Sequence, residues 1–97
     1  MGRIAKLTPE QRQAEKDRLY ADVAIGGVPV DEMVRRMRRI TGMTQADYAR
    51  KVAGISPQAL AQIEQGRGNP TVETLNRLGR AFGLQVGFVR RPRPPGL

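Results

Sequence analysis

Residues 43–71 have the sequence MTQADYARKVAGISPQALAQIEQGRGNPT, in which helix starts and helix stops alternate at close spacing. Thr44 and Ser56 are residue types that cap helices, because their side-chain oxygens can accept a backbone N–H of the first turn. A glycine follows each segment and favours the left-handed conformation in which many helices end. The stretch therefore predicts two short helices, over 44–53 and 56–65, joined by a glycine turn.

The segments on either side also have helical spacing. Apolar residues recur three or four positions apart between residues 30 and 40, and again between residues 72 and 82, where Thr71 supplies the cap. Four core helices are therefore predicted within residues 29–83, in an all-α fold. We expect the methionines of the first core helix to fill the core. The apolar residues with this spacing are Val30, Met33, Val34, Met37, Ile40, Val72, Leu75, Leu78 and Phe82.

An extra helix is predicted in the N-terminal segment, residues 1–28. Thr8 and Gln11 match a Thr-x-x-Gln capping box, Pro9 suits the first turn, and a double glycine ends the helix. The apolar residues of this helix lie only in its last turns. We therefore expect a helix over residues 8–24 whose early part frays as an N-terminal arm.

The C-terminal segment changes from helical to alternating periodicity. Leu84, Val86 and Phe88 point to one side of an extended chain, which predicts one short strand within residues 84–90. A lone strand leaves unpaired backbone groups, and a second copy of the chain would supply the missing partner. The alternative is an edge strand packed on its own domain. Residues 91–97 combine proline with arginine and are predicted to form a disordered tail.

Composition narrows the classes of function. The chain has 97 residues, enough for one domain, and its 17 Lys and Arg against 9 Asp and Glu give a net charge of +8. This charge favours a polyanionic partner, with double-stranded DNA ahead of an anionic membrane. The chain has no Cys and no His, so we expect no enzyme activity, no metal site and no cofactor. No apolar run reaches the ~18 residues of a membrane span, which predicts a cytoplasmic protein.

Two short helices joined by a glycine turn have the size and spacing of a DNA-binding helix-turn-helix. The motif residues within 43–56 and 63–71 closely resemble those of the phage-repressor family (Xre, or Cro/CI-like), and the resemblance covers residues 30–83. One departure is visible, because the segment 45–54 is one residue longer than the family spacing, with Ala53 as the extra residue. This departure affects the angle between the two helices.

The second helix of the motif would be the recognition helix. Its outward positions are those that remain when Leu60 and Ile63 face the core. Gln58 and Gln62 are the candidates for base recognition, because glutamine can pair bidentately with adenine, and Ala59 is placed to touch a thymine methyl group. The alternative is a pair of solvated glutamines on an exposed face.

The family resemblance also implies contacts to the DNA backbone. Gln45, at the start of the first motif helix, would donate a hydrogen bond to a phosphate, assisted by the helix N-terminus. Arg67 and Asn69 would clamp the backbone from the loop after the recognition helix, and an ordinary polar turn is the alternative. Glu64 is expected to pair with an arginine of another helix. The predicted DNA-binding residues are Thr44, Gln45, Ser56, Gln58, Ala59, Gln62, Arg67 and Asn69.

Four arginines within residues 35–39 form the densest positive block. Helical geometry spreads them over the face opposite the apolar residues, so not all four can reach one duplex. We expect one or two of them, with Arg50 or Lys51, to contact phosphate, unless the block is an ordinary solvated face.

These features predict a homodimeric, sequence-specific transcriptional regulator, preferentially a repressor, on a palindromic operator with half-sites ~34 Å apart. The dimer would form through Leu84, Val86 and Phe88, because the C-terminal segment resembles that of HipB-type antitoxins, in which a short strand pairs across the two-fold axis. A second hypothesis is therefore an antitoxin whose N-terminal arm or proline-rich tail also binds a protein toxin. A third is a protein-interaction module of the same fold without base recognition.

Overall fold

The computed structural model describes residues 6–90 and contains five helices in that range, which confirms the all-α prediction with four core helices and an extra N-terminal helix. The predicted tail, residues 91–97, lies outside the described residues. None of the helices within residues 6–90 is both long enough and apolar enough to cross a membrane. The helices are α1 (Pro9–Ile25), α2 (Val30–Thr41), α3 (Gln45–Asp47, continued by a π-helical segment Tyr48–Ala53), α4 (Pro57–Glu64) and α5 (Val72–Gly79, followed by a 3₁₀ turn Arg80–Phe82).

Hydroxyl side chains cap four of these helices, as the sequence predicted. Thr8, Thr44, Ser56 and Thr71 each accept a backbone N–H from three residues further on, at 3.0, 3.1, 3.0 and 3.1 Å respectively. Gln11 also reaches back to the Thr8 N–H at 2.9 Å, which completes the predicted capping box. A cap of this kind stabilises a helix by about 1 kcal/mol.

The hydrophobic core lies between α2, α3, α4 and α5, and α1 adds one residue to it. The predicted core role of the methionines is confirmed, since Met37 is buried and Met33 packs against the buried cluster. Tyr48 is the largest fully buried side chain, and its hydroxyl donates to the backbone oxygen of Leu78 at 2.7 Å. The buried apolar residues are Leu19, Val34, Met37, Ile40, Tyr48, Ala49, Ala53, Leu60, Ile63, Leu78 and Phe82.

Helix α1 is anchored to the core by its second half. Leu19 is fully buried, and the Tyr20 hydroxyl donates to the backbone oxygen of Phe82 at 2.8 Å. Asp22 lies 2.9 Å from Arg36 on α2. The predicted helix is present and continuous over 17 residues, and fraying of its early part stays a prediction. The sequence showed few apolar residues in this helix. It could not show the contacts that hold the second half of the helix, because their partners, Phe82 and Arg36, are distant in the chain.

The extra residue that the sequence placed in the first motif helix is accommodated by the π-helical segment Tyr48–Ala53. The N–H of Gly54 bonds to the oxygen of Ala49, five residues back, and the N–H of Ile55 reaches the same oxygen at 3.0 Å. A π turn takes up one residue more than an α turn. Gly54 then turns the chain with φ of 67°, so Ser56 still caps α4.

The predicted strand over residues 84–89 does not form in the part of the chain that the structure describes. This segment instead runs along α5, where the N–H of Leu84 bonds to Gly79 O at 3.0 Å and that of Val86 to Asn76 Oδ1 at 2.9 Å. Leu84 and Val86 are half-buried, whereas Phe88 is fully exposed. The strand prediction was wrong because a β-ladder needs a second extended segment, and α5 supplies a side-chain amide and a helix end instead.

Gly79 allows this close contact with α5. A Cβ atom at this position would lie 2.7 Å from the backbone oxygen of Leu84, closer than real Cβ atoms approach. The residues after Gly83, which has a φ of 67°, can therefore fold back directly onto the helix.

Candidate nucleic-acid interface

Helices α3 and α4 form the helix-turn-helix, and burial decides which side of α4 faces outward. Leu60 and Ile63 are buried, as predicted. Gln58 and Gln62 are exposed, and Ala59 is half-buried on the same side. The structure therefore brings the three predicted base-contacting residues onto one accessible face, with α4 held from behind by the core.

The two capping hydroxyls of the motif are already engaged with the backbone. Ser56 Oγ accepts from Ala59 N–H at 3.0 Å, and Thr44 Oγ1 accepts from Asp47 N–H at 3.1 Å. Each hydroxyl keeps its own O–H, which can donate to an external acceptor such as a phosphate oxygen. Both residues are exposed at the starts of their helices, where the helix dipole favours anions.

A buried carboxylate ties three helices together behind this face. Glu64 is 5% exposed and accepts from Arg38 twice, at 2.6 Å from Nε and 2.9 Å from Nη2. Its pairing with an arginine of another helix confirms the sequence prediction. Bidentate pairing of this kind fixes the relative orientation of the two side chains and also strengthens their interaction. Arg38 also donates to Met43 O at 3.3 Å, so the loop before α3 belongs to the same network.

Gln45 joins this network through its side-chain amide, whose Nε2 donates to Glu64 Oε1 at 2.9 Å. One amide hydrogen is thereby used, and the second is available to an external acceptor because an amide nitrogen carries two. The buried pair thus holds the predicted phosphate-binding residue at the first turn of α3. Sequence reasoning found Gln45 but missed that Glu64 positions it.

Every arginine of the α2 block lies near a carboxylate of the protein, and the expectation that one or two of them contact phosphate stays a prediction. Arg35 also donates to the backbone oxygen of Glu64, and its bond to Asp31 lowers the pKa of that carboxyl. Each guanidinium has an acidic neighbour: Arg35 with Asp31 at 3.1 Å, Arg36 with Asp22 at 2.9 Å, Arg38 with Glu64 at 2.6 Å and Arg39 with Glu15 at 3.9 Å.

Two arginines of the motif itself lack an ion pair within the described residues. Arg67 and Arg50 are exposed and have no acidic partner among residues 6–90, whereas Lys51 lies 3.8 Å from Asp47. The loop that carries Arg67 and Asn69 is shaped by two glycines with positive φ, and the Arg67 N–H bonds back to Gln62 O at 2.8 Å. Both predicted loop residues are therefore exposed directly after α4.

Comparison with known proteins agrees with this geometry. The profile of a family described as helix-turn-helix matches residues 34–89, more than half of the chain and all of α3, α4 and α5. The chain belongs to this helix-turn-helix family. The predicted resemblance to Xre and Cro-type DNA-binding domains is thereby confirmed, and proteins of this family are typically not enzymes. The HipB-type feature has no support, because residues 84–90 form no strand in the described range.

Relatives of this helix-turn-helix protein fall into two groups. The rat endothelial differentiation-related factor 1 is 33% identical over 82 residues, which covers 84% of this chain and 50% of the relative. An uncharacterized HTH-type transcriptional regulator, y4dJ of Sinorhizobium fredii, is 45% identical over 49 residues, or 50% of this chain and 62% of the relative. The immunity repressor protein of Bacillus phage phi105 is 35% identical over 60 residues, or 62% of this chain and 41% of the relative.

The chain spans about half the length of the rat factor and similar shares of the other two relatives. No solved structure matches it significantly. The family assignment therefore follows from the sequence profile.

Proposed function

We propose that this helix-turn-helix protein is a sequence-specific transcriptional regulator, a repressor, that binds a palindromic operator as a homodimer. The observation that carries the proposal is the polar outward face of α4, where Gln58 and Gln62 are exposed while Leu60, Ile63 and Glu64 are buried behind them. The names of the bacterial and phage relatives, a transcriptional regulator and a repressor, support the same role.

Base recognition would occur in the major groove. Gln58 and Gln62 lie one helical turn apart, so both amides point to the same side and can pair with neighbouring bases. A bidentate glutamine–adenine contact discriminates against the wrong base by about 1–3 kcal/mol. Ala59, between them, would add an apolar contact to a thymine methyl group.

Phosphate contacts would surround this helix. Gln45, Thr44 and Ser56 carry donors at the first turns of α3 and α4, and Arg67 and Asn69 carry donors in the loop after α4. Such contacts fix the position of the protein on the duplex without discriminating among sequences. Binding is therefore expected to weaken as salt rises, because counterions are released from the phosphates.

A homodimer follows from the size of this interface. One short recognition helix reaches only a few base pairs, and helix-turn-helix proteins gain specificity by placing two such helices one DNA turn, ~34 Å, apart. A two-fold dimer would match a palindrome, because each protomer contacts one half-site.

The second candidate is a protein-interaction module without base recognition. The printed name of the rat factor, which matches 84% of this chain, mentions neither transcription nor repression, unlike the names of the bacterial and phage relatives, which match 50% and 62% of it. An antitoxin that also binds a protein toxin has no structural observation in its favour within residues 6–90.

Selection of bound fragments from a random DNA pool at near-physiological salt distinguishes these functions. A palindrome with half-sites one turn apart is the expected result. Gln58→Ala should then relax the preference at one position per half-site by about 1–3 kcal/mol. Gln65→Ala is the matched control, because Gln65 is also exposed but lies at the end of α4. Failure to enrich any sequence would favour the interaction module.

A further inference from the structure

The turn that joins α3 to α4 follows directly on the π-helical segment Tyr48–Ala53. The N–H groups of Gly54 and Ile55 both bond to the backbone oxygen of Ala49. Because two donors share this one acceptor, fewer N–H groups remain for the carbonyl oxygens that end the segment. The last carbonyls of a helix have no partner within the helix and need donors from elsewhere. The end of this segment therefore depends on a donor from another part of the chain or from water.

Arg77, on α5, supplies a donor to this turn from a position 24 residues further along the chain. Its Nη1 donates to the backbone oxygen of Ala53 at 3.3 Å. The same nitrogen would lie 3.6 Å from a Cβ atom at Gly54, so the guanidinium packs directly against the turn. Ala53 is itself fully buried in the core. The turn is thus held between the core and one arginine side chain.

A second contact fixes the guanidinium itself. The Nη2 of Arg77 donates to Glu73 Oε2 at 2.8 Å, and both residues lie on α5, one helical turn apart. An arginine presents its N–H groups in a rigid planar fork, so one side chain can donate to a carboxylate and to a carbonyl at the same time. Arg77 therefore differs from Arg50 and Arg67, which have no acidic partner among residues 6–90.

The position of this turn decides where α4 points. Gly54 lies two residues before Ser56, the cap of α4, and three before Pro57, its first residue. A connection this short passes a displacement of the turn on to the helix, and Gln58 in the first turn of α4 moves with it. A bidentate contact to a base tolerates little displacement, because hydrogen bonds weaken steeply as they lengthen or bend.

We propose that Arg77 is a positioning residue for base recognition, which fixes the turn lengthened by the extra residue and thereby sets the orientation of α4 relative to α3. In this role Arg77 contacts neither a base nor a phosphate. The inference rests on the proposed function, because it concerns the same face of α4. It also gives the departure from the family spacing a compensating contact, between the extra residue Ala53 and α5.

Arg77→Ala tests this role through the preference for specific DNA. The affinity for the sequence selected from the random pool should fall about tenfold relative to the affinity for an unrelated duplex, within the range of one good base contact. Arg80→Ala is the matched control, because it removes the same charge from an exposed arginine three residues further on and should leave the preference unchanged. Fluorescence anisotropy measures the affinities, and circular dichroism verifies that both variants are folded.

The dependence of binding on salt separates positioning from direct contact. Arg77→Ala and Arg80→Ala should show the same salt dependence, since neither loses a phosphate contact. Equal losses on both duplexes, with a salt slope reduced by about one in Arg77→Ala alone, would show a phosphate contact and overturn the inference. Unchanged affinities, with a loss only in the free energy of unfolding, would show a purely structural role and overturn it as well.

The conservative variant Arg77→Lys tests the contact itself. Lysine keeps an N–H donor for the Ala53 oxygen but lacks the planar fork. It should therefore recover at least part of the preference that Arg77→Ala loses. A lysine variant no better than the alanine variant would overturn the inference, because a donor at this position would then make no difference.

Deletion of Ala53 tests whether the arginine acts through the lengthened turn. The deletion removes the acceptor of Arg77, so Arg77→Ala should cause no further loss of preference in that background. An equal loss with and without Ala53 would overturn the inference. Circular dichroism verifies that the deletion variant is folded, and the tests with alanine and lysine at position 77 do not depend on it.

The same measurements distinguish failure of this inference from failure of the proposed function. A wild-type chain that selects no DNA sequence would overturn the regulator proposal and this inference together. A wild-type chain that selects a sequence, with the same preference in Arg77→Ala, would overturn this inference alone.

Discussion

The outward face of α4 and the apolar groove between α1, the start of α2 and residues 84–90 are both accessible, but their chemistry is opposite. The first exposes amides and cations, with Gln58, Gln62 and Arg67 on one side. The second exposes valines and Phe88. A polar face with free donors suits a phosphate backbone and base edges, whereas an exposed apolar surface suits another protein. The proposed nucleic-acid contacts all belong to the first of these two surfaces.

The two regions also differ in how they are held. Behind α4 lies a buried ion pair, with Arg38 and Gln45 both bonded to Glu64. The walls of the groove depend on local packing, such as the contact between Gly79 and the Leu84 oxygen. A buried network holds side chains in one geometry, while packing of an extended segment against a helix permits adjustment to a partner. Three substitutions test this contrast.

Breaking the buried pair should have the largest effect. Glu64→Ala leaves the Arg38 guanidinium without its partner in a site where Arg38 is 19% exposed, and we expect a loss of about 3–5 kcal/mol of stability. Urea unfolding measures it. Glu73→Ala is the control, since Glu73 pairs with Arg77 at 2.8 Å but is 73% exposed, and it should cost about 0–1 kcal/mol. Similar losses in the two variants would contradict the role of Glu64 as the rigid support of α4.

Crowding the C-terminal segment should have an intermediate effect and act on the groove alone. Gly79→Ala places a Cβ atom 2.7 Å from Leu84 O, and the displacement should cost about 1–3 kcal/mol, the usual range for overpacking. Gly87→Ala is the matched control, because a Cβ there meets nothing within 4 Å. Unfolding curves give the cost. Half-site selection should be kept in both variants, because neither glycine lies on α4. Loss of half-site selection in Gly79→Ala alone would contradict the separation of the two regions.

The smallest effect at neutral pH is expected from Tyr48, which lies in the core that both regions share. Tyr48→Phe removes the hydrogen bond to Leu78 O and should cost about 1 kcal/mol. Burial, with a contribution from the Glu64 charge, raises the pKa of Tyr48 from 10.0 to about 12. The folded state therefore holds this proton more tightly than the unfolded state, so its contribution is complete below pH 10 and is lost as the pH rises towards 12.

Stability measured against pH checks the titration of Tyr48. Wild type should lose stability more steeply between pH 10 and 12 than Tyr48→Phe, because the variant has no phenol to ionise at this position. Parallel curves for the two proteins would show that Tyr48 does not titrate as its burial requires.

Much of the helix-turn-helix was predictable from local patterns. Thr44 and Ser56 cap helices through bonds to residues three positions on, so their neighbours in sequence settle where α3 and α4 begin. The alternation of buried Leu60 and exposed Gln58 on α4 follows from helical periodicity. Even the extra residue was visible as a spacing anomaly. The sequence did not show that this extra residue would be taken up in a π turn. That outcome depends on how the helices on both sides of the segment pack in three dimensions.

The sequence by itself determined the helices, the outward residues of α4 and the family, because caps, glycine turns and apolar periodicity act over one or two turns. Only the tertiary structure decided which charges are free. It paired Arg38 with Glu64, distant in sequence, and placed Asp22 of α1 against Arg36. It also laid residues 84–90 on α5 in place of a strand. Such long-range contacts depend on which helix surfaces pack against each other, and local sequence patterns do not specify this packing.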